Sequence, residues 1–278
     1  MVTGCGWLRS PAVRHALYVA PFAELSDPKR MVELAEAAEA GGWDGLFLWD
    51  HVHRDPAEAR DIADVWTMLA AIAMRTEHLR LGPMVTPLSR RRISTLVRQT
   101  VTLDHLSGGR LTMGMGLGVD SGGELTRFGE VVDARSRAAV LDESAEALVA
   151  AWTGERVDHR GEHVTVDGVT FSPTPVQRPR IPLWAAARQG ALRPVRRAAR
   201  YDGLFIIDVD VGQLGRAVDE VVGARGTVDG FDIAVRSSPI DDPALLEVEG
   251  VTWAMHSFPP VFPAAELTAI AMRGPQPD

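Results

Sequence analysis

Asp50, His51 and His53 follow directly on the apolar run Leu46-Phe47-Leu48-Trp49. A carboxylate and two imidazoles at this spacing can do two kinds of chemistry. Asp50 and His51 can hold and move a proton as an acid–base pair beside a bound cofactor. Alternatively, His51-x-His53 can begin a metal site of the kind zinc hydrolases build on barrels. Such a site needs more histidines after later strands and an acid after the last one. Here the later strands end without histidine except at His256, and no acid stands with it. A structural reading competes with both. In it Asp50 caps the next segment and His51 is a satisfied, partly buried side chain.

The elements that must position these residues alternate along the chain. Four apolar residues in a row read as a strand buried on both faces, as in a parallel sheet covered by helices. Chemistry in α/β proteins collects at the C-terminal ends of such strands. The first strand is predicted at Ala16 to Pro21. Asp27 and Pro28 cap and open a helix over Lys29 to Ala40, which Gly41-Gly42 ends. Asp64 caps a helix over Val65 to Thr76. Further strands are predicted at Leu79 to Val85, Arg110 to Gly116, Leu183 to Ala187, Gly203 to Ile207, Phe231 to Val235 and Val251 to Met255. Helices fall between them, the longest over Ala134 to Trp152, with a short one at Pro243 to Val248 and a last one at Ala264 to Met272. Eight βα units argue for one closed (β/α)8 TIM barrel, of the α/β class, spanning 1–278 as a single domain. Residues 1–14 read as an irregular lead. The stretch 154–182 breaks the rhythm and reads as a β-hairpin insertion with a proline-rich exit before strand five.

Two further strand ends could serve a ligand. Gly114 and Gly116 carry no side chains, so a flat ring could approach the backbone there, or the glycines simply fill a tapered barrel. The segment Ala185, Ala186, Ala187, Arg188, Gln189, Gly190 places small residues before a helix N-terminus, which suits a phosphate, and Arg188 could add charge.

Composition narrows the field. A formal charge of −8 over 278 residues offers no electrostatic footprint for nucleic acid or an anionic membrane. Lys29 is the only lysine, so Schiff-base chemistry would have to use it. Cys5 is the only cysteine, which leaves no intrachain disulfide and no cysteine metal cluster. No signal peptide and no membrane span are predicted, and a cytoplasmic protein is the expectation.

Several segments, taken in order, resemble the bacterial luciferase-like monooxygenase superfamily of flavin- and deazaflavin-dependent oxidoreductases. They are VELAEAAEAGGWDGLFLWDHV, HLRLGPMVTPLSRRR, TLDHLSGGRLTMGMGLG, the FGE around Phe128, RPRIPLWAA and RRAARYDGLF. The resemblance covers residues 16–258. It implies a flavin across the barrel mouth and a non-proline cis peptide at Met84–Val85, with Thr86 beside the ring. It also implies that His51 lies near the reactive ring carbon with Asp50 beside it, and that phosphate is held by Ala185 through Gly190. Relatives often carry glycines where this chain has Ala186 and Ala187. The cofactor implied is FMN or the deazaflavin coenzyme, acting on a small organic substrate. The alternatives are a cofactor-binding barrel without turnover and a metal-dependent hydrolase using His51 and His53. A homodimer is expected, with a flavin reductase as a partner that could supply reduced cofactor. The substrate is set by loops near 53–62, 118–130 and 156–177.

Overall fold

The structure is a computed structural model that describes residues 13–57, 61–238 and 241–275. Its strands in chain order are β1 (Arg14–Val19), β2 (Gly45–Leu48), β3 (Arg80–Pro83), β4 (Thr86–Pro87) and β5 (Met113–Gly116). A hairpin of β6 (Arg156–Arg160) and β7 (Thr165–Thr170) follows. Then come β8 (Leu183–Arg188), β9 (Gly203–Ile207), β10 (Asp232–Ser237) and β11 (Trp253–Ser257). The helices are α1 (Pro28–Ala40), α2 (Val65–Ala73), α3 (Ile93–Leu106), α4 (Ala134–Trp152), α5 (Leu192–Ala198), α6 (Val211–Arg225) and α7 (Ala264–Arg273).

Apart from the hairpin, the strands form one parallel sheet in the order β3-β2-β1-β11-β10-β9-β8-β5-β4. The ring closes between its two ends. Leu81 bridges Leu111 in parallel, the Leu81 N–H donates to the Arg110 carbonyl at 3.1 Å, and the Thr112 N–H donates to the Leu81 carbonyl at 2.9 Å. The third barrel position, predicted as one strand, is two. β3 pairs with β2, the Met84–Val85 peptide is cis, and β4 then pairs with β5. The seventh unit also departs from expectation. A 3-10 turn at Pro243–Glu247 stands where a short helix was predicted.

Side-chain alternation explains why β2 is apolar throughout. Leu46 and Leu48 face the helices, whereas Phe47 points into the barrel. Inside, Phe47, Trp184 and Trp253 pack with ring centroids 5.7–5.9 Å apart and plug the lower barrel. Above them lie Tyr18, Met84, Phe205 and Met255. The inserted segment forms the expected hairpin. Its exit is pinned by the fully buried Asp104, which accepts from the Val176 and Gln177 N–H groups at 2.7 and 3.1 Å. The irregular lead predicted over 1–14, with Cys5, falls outside the described residues up to 12, and Arg14 already belongs to β1.

The entry to β3 hangs on Glu39 at the end of α1. Its carboxylate accepts from the N–H groups of Glu77, His78 and Leu79 at 2.6–3.0 Å. Burial opposes ionisation of Glu39, but these donors outweigh it and hold the carboxyl below its usual value. The group therefore stabilises the fold fully above the unfolded pKa of about 4.3 and loses that contribution as pH falls through the lowered folded value. Glu39→Gln is expected to lower the melting temperature by about 2–4 °C at pH 7. The gap to wild type should close below about pH 4 in melts followed by circular dichroism. A pH-independent gap would mean that the charge plays no part.

Candidate active site

The C-terminal ends of the strands open on one side of the barrel. Four inner side chains there are partly exposed and lie against the barrel interior: Trp49, Val85, Ala186 and Ile207. They come from four different strand positions and make an apolar floor. Gly116 lies in this layer. A Cβ on it would stand 2.5 Å from Val85 Cγ2 and 3.7 Å from Ala186 Cβ. Gly114 is backed the same way, by the Pro83 carbonyl at 2.5 Å and Met84 S at 2.6 Å. The two glycines thus make room for the chain at the cis peptide, and their open side does not face the mouth.

One wall of the mouth is a buried charge cluster. Asp50, just past β2, accepts from Thr86 Oγ1 at 2.7 Å, Arg90 Nη2 at 3.1 Å and Arg91 Nη2 at 2.6 Å. Glu124, in the loop after β5, accepts from Arg90 Nη1 at 2.5 Å and from the Val52 N–H at 2.6 Å. It also pairs with His51 Nδ1 at 2.8 Å. The side chains of Asp50 and Glu124 are 1% exposed and that of Arg90 is 5% exposed, so Arg90 binds two acids out of reach of water. Burial pushes the Glu124 carboxyl up, but the bond and charge of His51, the Val52 N–H and Arg90 together hold it below the usual range. Glu124 is an anion at neutral pH.

The other side of the floor carries Tyr18, Arg188, Asp208 and Arg236. Asp208 pairs with Arg188, and with Arg236 at 2.8 Å; Arg236 also meets Asp241 at 2.8 Å. Burial drives the Tyr18 hydroxyl pKa above its ordinary value, while Arg236 pulls the other way, so the phenol stays protonated.

Several predicted site residues take other places. Asp50 does not touch His51. Its carboxylate is committed to Thr86, Arg90 and Arg91, and the acid on His51 is Glu124. Thr86 is fully buried with its hydroxyl on Asp50, so it cannot lie beside a ring in the mouth. Met84 is 1% exposed and belongs to the barrel interior, leaving Val85 as the part of that segment on the floor. Ala185 and Ala187 face the helices because side chains alternate along β8, and Ala186 alone faces inward. Arg188 is tied to Asp208 and is no free cation for a phosphate. Gly190 supplies the positive-φ turn into α5 (φ 64°), which spans only seven residues.

Sequence reasoning missed Glu124 and Arg90. Glu124 is 73 residues from His51 and carries no local signature inside its glycine-rich loop. Arg90 had one: three consecutive arginines, Arg90 to Arg92, directly after a buried strand, where cations need partners.

The histidines expected for a metal do not converge. His51 bonds Glu124, the His53 ring lies against Phe128, and His256 Nε2 is 2.9 Å from His15 Nδ1. Among the described residues no group of three His, Cys, Asp or Glu could hold a metal ion. A cavity of about 440 Å³ lies between the 3-10 turn and α7, lined by Trp43, Arg236, Asp241, Leu245, His256 and Phe258 among others. It shares Arg236 and Asp241 with the far side of the floor, but holds none of Trp49, Val85, Ala186 and Ile207 and none of Asp50, His51, Arg90 and Glu124. No described helix is long and apolar enough to cross a membrane.

The mouth fits a flat, mostly apolar ligand with polar edges. Its floor is apolar, His51 stands at one edge, and the buried polar atoms Trp49 Nε1, His53 Nε2 and Ser89 Oγ on this side of the barrel have no protein partner.

Comparison with known proteins agrees with this architecture. The sequence profile described as luciferase-like monooxygenase matches residues 6–243. An F420-dependent glucose-6-phosphate dehydrogenase of Nocardia farcinica is 30% identical over 245 residues, 84% of this chain and 71% of that protein. An uncharacterized protein of Sinorhizobium fredii is 35% identical over 156 residues, 56% of this chain and 44% of its own length. The matched stretch spans about half the length of most of these curated relatives. Among solved structures, a monooxygenase from Streptomyces bottropensis superposes with a TM-score of 0.70 at 23% identity, covering 81% of this chain and 71% of that one. An F420-dependent secondary alcohol dehydrogenase bound to an F420-acetone adduct gives 0.71 at 18% identity, covering 93% and 81%. At these identities the likeness is one of fold.

Proposed function

Because the chain belongs to the luciferase-like monooxygenase family, we propose that it is an oxidoreductase that binds FMN or the deazaflavin coenzyme across its barrel mouth and acts on a small organic substrate. The observation that carries this is the pairing of the floor with the histidine. Trp49, Val85, Ala186 and Ile207 offer a tricyclic ring an apolar bed, and His51 stands at its edge with Nδ1 already taken by Glu124. Several curated relatives carry F420 in their names, whereas the names of the structural neighbours include both F420 and FMN. The cofactor, when bound, supplies the electron-transfer chemistry.

The protein's own residues do the rest. The floor seats the ring. Trp49 Nε1 and His53 Nε2 are available for its polar edge or for substrate. The turn from Arg188 to Gly190 would meet its phosphate end, weakly, since Asp208 already pairs with Arg188. His51 holds or moves one proton at Nε2. We take the protein to work in the cytoplasm as a homodimer, with a separate flavin reductase as partner if FMN is the cofactor.

Fluorescence titration with FMN and with the deazaflavin coenzyme, alongside metal analysis, tests the reading. The expected result is saturable one-to-one binding of one cofactor and no stoichiometric metal. Tightly held zinc with no affinity for either cofactor would overturn it. Cofactor binding without oxidation or reduction across a panel of alcohols, ketones and aldehydes would leave a binding protein.

A further inference from the structure

We propose that Glu124 is a positioning residue that makes His51 work through Nε2, and that Arg90 keeps Glu124 charged for this purpose. The inference rests on the reading of His51 as the proton-handling group and extends it to the residue behind it. An ionised carboxylate can only accept hydrogen bonds. With Glu124 Oε2 at 2.8 Å from Nδ1, the ring must carry its proton on Nδ1 whether it is neutral or cationic. The nitrogen that gains or loses a proton is then Nε2. The same bond sets the ring plane, which Phe22 and Trp49 flank with centroids at 5.9 and 6.0 Å.

Glu124 does not drain that proton. Arg90 Nη1 and the Val52 N–H both stabilise its charged form, and its side chain is 1% exposed. The charged groups around His51 come from three elements. Asp50 stands at the end of β2, Arg90 and Arg91 lie in the turn after β4, and Glu124 lies in the loop after β5. His53 is the titratable neighbour in the loop of His51 itself, and the β1 side presents the uncharged Phe22. Two acids and two arginines sum to zero. A single proton moves, on or off Nε2, while Nδ1–H stays in place.

Nitrogen-15 NMR of the His51 ring tests this without any cofactor. The wild-type neutral ring is expected as the Nδ1–H tautomer. In Glu124→Gln the amide can donate as well as accept, so the Nε2–H tautomer should gain population. In turnover assays Glu124→Gln should lose about 10- to 100-fold, the scale seen when the partner that orients a functional histidine is removed. The KM for cofactor should stay close to wild type. In a His51→Asn background, adding Glu124→Gln should cost less than about twofold, since the two residues act as one unit. An Nε2–H tautomer in wild type, an unchanged tautomer in Glu124→Gln, or additive losses in the double variant would overturn the proposal. If Glu124→Gln melts at room temperature, the wild-type tautomer decides alone. A correct tautomer in a protein that never turns over cofactor would count against the enzymatic reading and leave the positioning intact.

Discussion

Turnover in His51→Asn is expected to fall about 10²- to 10⁴-fold, the range that a positioned acid–base group contributes. Cofactor affinity should stay within about threefold of wild type. Asparagine retains a polar side chain of similar size but does not titrate near neutral pH. The expectation follows from where His51 stands. It is held at Nδ1 by Glu124, bounded by the rings of Phe22 and Trp49, and placed at the edge of the apolar floor. Its other nitrogen is left free of Glu124 beside the Trp49 edge of that floor. Steady-state kinetics with separate fluorescence binding curves checks the prediction. If affinity and turnover fall together by the same factor, His51 packs under the ligand and does not move a proton. If neither changes, the proton is handled elsewhere, and Tyr18, protonated and set on the other side of the floor, becomes the group to replace.

Arg90→Met should destabilise the protein by about 3–5 kcal/mol, the cost of removing one partner from a buried ionic cluster. Arg90 is 5% exposed and donates to Asp50, to the Asp50 carbonyl and to Glu124. Methionine fills much of the same volume, so the loss comes from two acids left without their shared cation. Arg91 still covers Asp50, which leaves Glu124 as the exposed weakness. Removing Arg90 takes away one of the forces that hold Glu124 below the usual carboxylate range, so its carboxyl should rise. The deficit relative to wild type should therefore shrink as pH is lowered toward the point where Glu124 protonates. Urea unfolding at several pH values gives both numbers. A loss below about 1 kcal/mol at pH 7 would mean that water or a shift of Arg91 reaches the acids.

These two residues mark where sequence and tertiary structure divide the information. The alternating elements were legible because each is a local property. Asp27 and Asp64 cap the helices predicted after them, α4 runs over the predicted Ala134–Trp152, and β9 over the predicted Gly203–Ile207. Burial of β2 on both faces could be read from four apolar residues in a row. The strand ends could be named as well, since a barrel puts all of them on one side. The cis peptide at Met84–Val85 came from the resemblance and is present in the structure.

What could not be read is which polar groups meet. His51 and Glu124 are 73 residues apart, and Arg90 lies between them in the chain while touching both of its neighbours' acids in space. Adjacency in sequence suggested Asp50 as the partner of His51. Adjacent residues at a strand end point to opposite sides, however, so the pair that is closest in sequence is kept apart by the backbone. The same alternation sent Ala185 and Ala187 to the helices and left Ala186 on the floor. Sequence by itself determined the barrel and the edge on which chemistry could sit. Only the closed sheet decided that a buried glutamate from the fifth strand's loop stands behind the histidine of the second, because the fold brings loops together that the chain keeps far apart.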